Sequence, residues 1–201
     1  ALAWVSAILD KNGSLSVKNF NLATDGLKMS GAAVFDADGN LVNIDVQKFF
    51  MKDKANLKFR ITPDRVKGSF FVSVNGKFLD ATHLSETSLH KFSNLKKKPV
   101  SIQLGIEELK LHEKIKLQNV SGQILRNQNG MWNGNLVSKI SEKGSMSIDV
   151  ETKKLKQQIV IMSDNAGEVI KHFGISNSVK RGKVKIRIKK NLAKPQHGWA
   201  G

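Results

Sequence analysis

The chain has 201 residues, 40% hydrophobic and 25% charged, enough for one globular domain with a core and too apolar for a disordered segment. The absence of cysteine excludes a disulfide scaffold and thiolate chemistry, and no stretch approaches the ~18 consecutive apolar residues of a membrane-spanning helix. A net charge of +16 would attract nucleic acid, anionic headgroups or an acidic partner, but lysines alternate with apolar residues along many strands and only 6% of residues are aromatic, none of them tyrosine. With so few stacking platforms the charge reads as a solvated basic face, and no nucleic-acid partner is expected.

The opening ALAWVSAIL is apolar but short and lacks a basic leader, so it reads as mid-strand and not as a signal peptide. The closing HGWAG reads as a turn leading onward, and the chain is expected to be a piece of a longer protein. Between these ends, alternation predicts strand after strand. SLSVKNF places Leu15 and Val17 on one side, GLKMSGAAVFD places Leu27, Met29, Ala33 and Phe35, and LVNIDVQKFF places Val42, Ile44 and Val46. In NLKFRI, Leu57, Phe59 and Ile61 face one way and Lys58 and Arg60 the other. Phe70, Val72 and Val74 follow in phase, then Val100, Ile102, Leu104 and Ile106. KIKLQNVSGQIL shows a phase break between Leu117 and Val120. MWNGNLVSKI, GSMSIDVE, KLKQQIVIM and GKVKIRIKK complete the series.

The connectors DKNG, DADGN, NQNG and EKG, and Asn75-Gly76, carry turn chemistry, so successive strands are expected to pair antiparallel as a meander. Helix is expected in two places only, near residues 80–92 and 164–173. In the second, Asp164 is the expected cap, Gly174 the stop, and Gly167 in the first turn lets the helix approach a strand closely.

Roughly a dozen strands with one apolar face each cannot be covered by two short helices. Either the sheet closes on itself as a sandwich or barrel, or it curls into an open trough; pattern alone favours closure. The fold class is mainly β.

Catalytic chemistry is scarce. His83, His90, His112, His172 and His197 have no metal-ligand spacing, and no phosphate loop, nucleophile elbow or dinucleotide fingerprint is present. DADGN and DKNGS resemble calcium loops but lack the distal glutamate and suit hairpin turns. No enzyme activity, cofactor or metal is therefore expected. In VKRGKVKIRIKK, Lys183, Lys185, Arg187 and Lys189 alternate with Val184, Ile186 and Ile188. This suits an outer face or a charged guard against edge pairing; contact with acidic headgroups is the functional alternative.

SDNAGEVIKHFGISNSVKRGKVKI resembles a signature of the AsmA-like family in a strand, an acidic Ala-Gly element, a short helix ending in Gly, a Gly-containing turn and an alternating strand. The match falls on Asp164, Asn165, Ala166, Gly167, Phe173, Gly174 and Gly182, with Arg181-Gly182 where the family often has two glycines. VNGKFLDATHL, with Gly76, Phe78, Leu79, Asp80 and Ala81, is similar to a second family element, and VSGQILRNQNGMWNGNL to a third. The resemblance runs from about residue 14 to the end.

It implies that residues 1–201 are a single segment of a longer, inner-membrane-anchored periplasmic protein. Its long, twisted, curled antiparallel sheet would form an open groove or half-barrel that shields phospholipid acyl chains and conducts them toward the outer membrane. The partners implied are phospholipid, and the two membranes through parts absent from this chain. An architectural scaffold of outer-membrane assembly without lipid carriage is the alternative; a basic nucleic-acid-binding β-domain is a second. The residues expected to share the lipid-facing surface are Leu57, Phe59, Ile61, Phe70, Val72, Val74, Val100, Ile102, Leu104, Met146, Ile148, Val150, Ile159 and Ile161.

Overall fold

The computed structural model describes residues 1–64, 68–82, 98–113, 115–141, 144–153, 156–172, 174 and 176–191. The alternating stretches form twelve strands: β1 (Leu2–Leu9), β2 (Leu15–Ala23), β3 (Leu27–Phe35), β4 (Leu41–Met51), β5 (Ala55–Pro63), β6 (Phe70–Asp80), β7 (Val100–His112), β8 (Ile115–Arg126), β9 (Trp132–Ser141), β10 (Gly144–Lys153), β11 (Lys156–Ser163) and β12 (Val184–Asn191). A seven-residue helix, α1 (Ala166–His172), joins the last two. All twelve strands lie in one sheet, in chain order.

Tight hairpins explain that order. Asp10, Asp36 and Asn127 each accept two backbone N–H bonds on one side-chain oxygen, from residues two and four further on. The fourth residue of each turn is a glycine at positive φ: Gly13, Gly39 and Gly130. In the two acidic loops that resemble calcium sites, Asp10 and Asp36 thus spend their carboxylates on their own turns.

Two expectations are corrected. The meander is interrupted once, because β6 and β7 pair in parallel from Phe70↔Val100 to Asp80↔Lys110. Their connection, residues 81–99, is long enough to return to the starting end of β6, which a two-residue turn cannot do. Nor is Asn75-Gly76 a turn. It sits inside β6, opposite Lys58 and Leu57. A Cβ on Gly76 would lie 2.3 Å from the Asn56 carbonyl oxygen, so glycine serves close strand approach at a bulge that leaves Lys77 unpaired.

The sheet stays open. Among the described residues, contacts between elements run mainly between neighbouring strands, with a smaller set between α1 and β9. The accessible surface of 13623 Å² compares with roughly 9,400 Å² for a compact domain of 22.2 kDa. The closed sandwich or barrel that pattern alone favours is not formed. Burial concentrates where α1 lies on the sheet: Val169 is fully buried and clusters with Ile106, Leu109, Leu117, Val120, Ile140, Met146 and Ile161.

The helix is shorter than its expected 164–173 and is capped one residue later than expected. Asn165 accepts the Glu168 N–H on Oδ1, while both Asp164 oxygens accept from Ser145, one from its backbone N–H and one from its hydroxyl. Asp164 therefore fastens β10 to the end of β11. Gly174, at φ 71°, ends the turn that follows the helix. Of the helix expected over 80–92, residues 83–92 lie outside the described residues; Asp80 ends β6.

Candidate functional site: an uninterrupted apolar sheet face

Residues paired across neighbouring strands project from the same side of a sheet, so the register decides which side chains share a surface. One row crosses all twelve strands: Val5, Phe20, Gly31, Val46, Phe59, Val74, Leu104, Gly122, Leu136, Ile148, Ile161 and Ile186. Two residues along each strand, or three on β2, runs a second: Ala7, Val17, Ala33, Ile44, Ile61, Val72, Ile102, Ile124, Gly134, Val150, Ile159 and Ile188. Neither row contains a polar side chain. Eleven strand-to-strand steps at about 4.8 Å give a face roughly 50 Å wide.

Between these rows, on the opposite face, lie Asp45, Arg60, Ser73, Gln103, Gln123, Asn135, Asp149, Val160 and Arg187. Here polar groups bond to one another: Arg60 pairs with Asp45, Gln123 donates to Ser101, and Asn135 donates to Asp149. From β4 to β12 the sheet thus sets a largely polar row against apolar ones on the other face.

All fourteen residues expected to share one surface fall on the apolar face. Ten occupy the two rows; Leu57 pairs with Gly76, Phe70 with Val100, and Met146 with Ser138, one row further out on either side. Met146 and Ile161 are buried and the rest are half-buried. Phe49 and Phe59 meet edge to face with centroids 6.1 Å apart, and Val46, the register partner of Phe59, is fully buried.

Bulges explain what alternation alone mislays. Lys18 and Asn19 on β2, Gln47 and Lys48 on β4, and Asn119 on β8 interrupt the pairing without moving the apolar residues to the other face. Phe20, Phe49 and Leu117 rejoin the apolar face across these irregularities. The signal in the sequence is an apolar residue three positions after the last in-phase one, as in Val17/Phe20, Val46/Phe49 and Leu117/Val120.

Among the described residues a helix closes one end of the face. At the closed end, α1 packs on β9, and its Val169 is buried in one cluster with Leu109, Leu117 and Ile140. Ala166 N–H donates to the Gly182 carbonyl, 2.6 Å away, and binds the helix to the chain returning toward β12. Gly167 is buried against that same return, at Val179 and Lys180, and not against a strand as expected. Nearby Asp80, whose side chain is 5% exposed, lies 3.6 Å from both Lys54 and Lys110. The Thr82 hydroxyl and backbone N–H, helped by those lysines, hold its carboxyl at about 2. Lys110 also pairs with Glu113, which raises the lysine and lowers the glutamate. Of the positions matched to the AsmA-like signature, Gly76 and Gly167 lie at close backbone approaches, Asp80 is held by Thr82 and two lysines, Asp164 holds Ser145, Ala166 and Gly182 bond to each other, and Gly174 ends a turn.

At the other end Phe70 and Val100 pair, and Val100 pairs with Arg126, which pairs with Trp132. Among the described residues no helix is long and apolar enough to cross a membrane, and no group of three His, Cys, Asp or Glu could hold a metal. No family model, curated protein or solved structure matches this chain.

Proposed function

We propose that this chain is a lipid-handling segment: acyl chains lie along the apolar face while the polar face meets water. The observation that carries the reading is the pair of rows, each twelve residues of only apolar or glycine positions, over which no second sheet packs among the described residues. A soluble protein seldom exposes so large an apolar surface without an occupant. Covering it with lipid gains about 0.8 kcal/mol per buried CH₂ and needs no catalytic group. Together with the resemblance of residues 163–186 and 74–84 to AsmA-like proteins, this favours a periplasmic segment that shields phospholipid and conducts it toward the outer membrane. In a longer protein the inner-membrane anchor would lie outside this chain.

Native mass spectrometry after incubation with phosphatidylglycerol vesicles tests this. The chain should carry bound phospholipid; Ile148→Glu and Phe59→Glu should lose it, and Lys58→Glu on the opposite face should retain it. A folded chain that takes up no lipid would favour the architectural scaffold instead.

A further inference from the structure

We propose that a hollow on the polar face binds a small phosphate-bearing anion from solution, through Lys48, Lys58 and Lys77. The hollow lies across the sheet from the acyl-facing rows, so this site stands independently of the lipid-handling reading. It begins with a seam in the strand pairing. Between β6 and β7 the register passes from Gly76↔Ile106 to Phe78↔Glu108, and between β7 and β8 from Ile106↔Val120 to Glu108↔Gln118. Lys77, Glu107 and Asn119 are thus left out of the ladder. Gln47 and Lys48 are passed over in the same way between β4 and β5, where Val46↔Phe59 is followed by Phe49↔Leu57. The buried apolar residues step three positions across this seam, from Ile106 to Leu109 and from Val120 to Leu117. Two consecutive residues between each such pair then turn to the polar side. Every residue left out at the seam lines one open hollow of about 620 Å³, walled by β4 to β8. Small-ligand sites span roughly 300–1,000 Å³, and bulges that re-aim side chains gather beside them. Gly105 keeps the hollow deep, since a Cβ there would lie 2.6 Å from Asn75 Oδ1, which faces the same space.

The charge in this hollow is largely uncompensated. Among the described residues no acid pairs with Lys48, Lys58 or Lys77, all of which line it. Glu107 is the one carboxylate in the lining. Asp45, in the adjoining hollow, is taken by Arg60, and Glu108 by Lys116. Three ammonium groups around one concavity favour an anion with more than one charge, and lysine serves phosphate oxygens as a point charge. The Asn119 amide and the Ser121 hydroxyl add neutral donors beside them. No aromatic ring lines the hollow, so a nucleobase would find no stacking partner there. The chemistry selects the phosphate and leaves the rest of the molecule to water.

The test titrates the 201-residue chain with inorganic pyrophosphate in low-salt buffer and follows binding by calorimetry. Wild type should bind one pyrophosphate per chain. Lys58→Gln and Lys77→Gln should each weaken binding about threefold, the worth of a solvent-screened charge, and the triple variant with Lys48→Gln about thirtyfold. Glu107→Gln should tighten it. Lys11→Gln, which removes the same charge from the β1–β2 turn, should leave it unchanged. All five side chains are exposed, so none of these changes puts the fold at stake. Phosphatidylglycerol vesicles should not displace the pyrophosphate; displacement that Lys58→Gln abolishes would assign the hollow to a lipid headgroup and overturn the soluble ligand. Absence of binding overturns the site. So does a triple variant that binds like wild type, or a loss with Lys11→Gln equal to that with Lys58→Gln, which would reveal a response to net charge alone.

Discussion

A Cβ built on Gly167 lies 2.5 Å from the Val179 carbonyl oxygen and 2.7 Å from the Lys180 carbonyl carbon. These are backbone atoms, so no side-chain rotation relieves the clash. Helix propensity by itself would favour alanine there by roughly 0.5–1 kcal/mol, while overpacking costs about 1–3 kcal/mol. Gly167→Ala should therefore lower the melting temperature. Lys171→Ala, at an exposed position of the same helix, should change it little. A stabilised Gly167→Ala would show that the helix does not dock through its glycine.

The two residues before the helix have separable duties. Asn165 caps α1, and its replacement by alanine should cost about 1 kcal/mol in denaturant unfolding. Asp164 grips Ser145, so Asp164→Ala should speed amide exchange at Ser145 more than at Glu168. Equal acceleration at both sites would return Asp164 to a capping role.

Asp80 should make stability depend on acid. Its carboxyl sits at about 2 in the folded chain, below its ordinary 3.8. The unfolded chain therefore binds the proton first as pH falls, and the stabilisation, complete above the ordinary value, disappears on the way down to the folded one. The melting-temperature gap between wild type and Asp80→Asn should stay constant from about pH 7 to pH 5 and narrow between about pH 4 and pH 2. A gap that widens in acid would contradict a carboxylate held ionised by Thr82, with help from Lys110 and Lys54.

Asn119 holds a left-handed conformation, φ 51°, at the bulge of β8. Asn119→Gly should be tolerated, whereas Asn119→Val should lose about 1–2 kcal/mol, the strain of a side-chain-bearing residue in that region. Similar stabilities for the two variants would mean that the bulge is easily reset.

Much of this was legible from alternation. Leu57, Phe59 and Ile61 declare their face because Lys58 and Arg60 intervene, and the register joins them to Val72, Val74, Ile102 and Leu104 as phase alone suggests. Asn75-Gly76 misleads because the same dipeptide serves a hairpin turn or a bulge, and only the nearby Asn56 carbonyl distinguishes them. The parallel β6–β7 pair was hidden because alternation says nothing about strand direction; the length of the 81–99 connection was the available clue. Asp164 and Asn165 are both good caps by residue type, and Ser145, 19 residues away, decides between them. The openness of the sheet was not in the pattern at all, since a closed barrel and an open trough use the same alternating strands.

The most direct test of the account is site-specific photo-crosslinking in the presence of phospholipid vesicles. Crosslinkers replace Phe59 and Ile148 on the apolar face, and Lys58 and Asp149 on the polar face. An acyl-lined surface predicts phospholipid adducts at Phe59 and Ile148 and none at Lys58 or Asp149. Equal capture on both faces, or adducts only at Lys58 and Asp149, would contradict it.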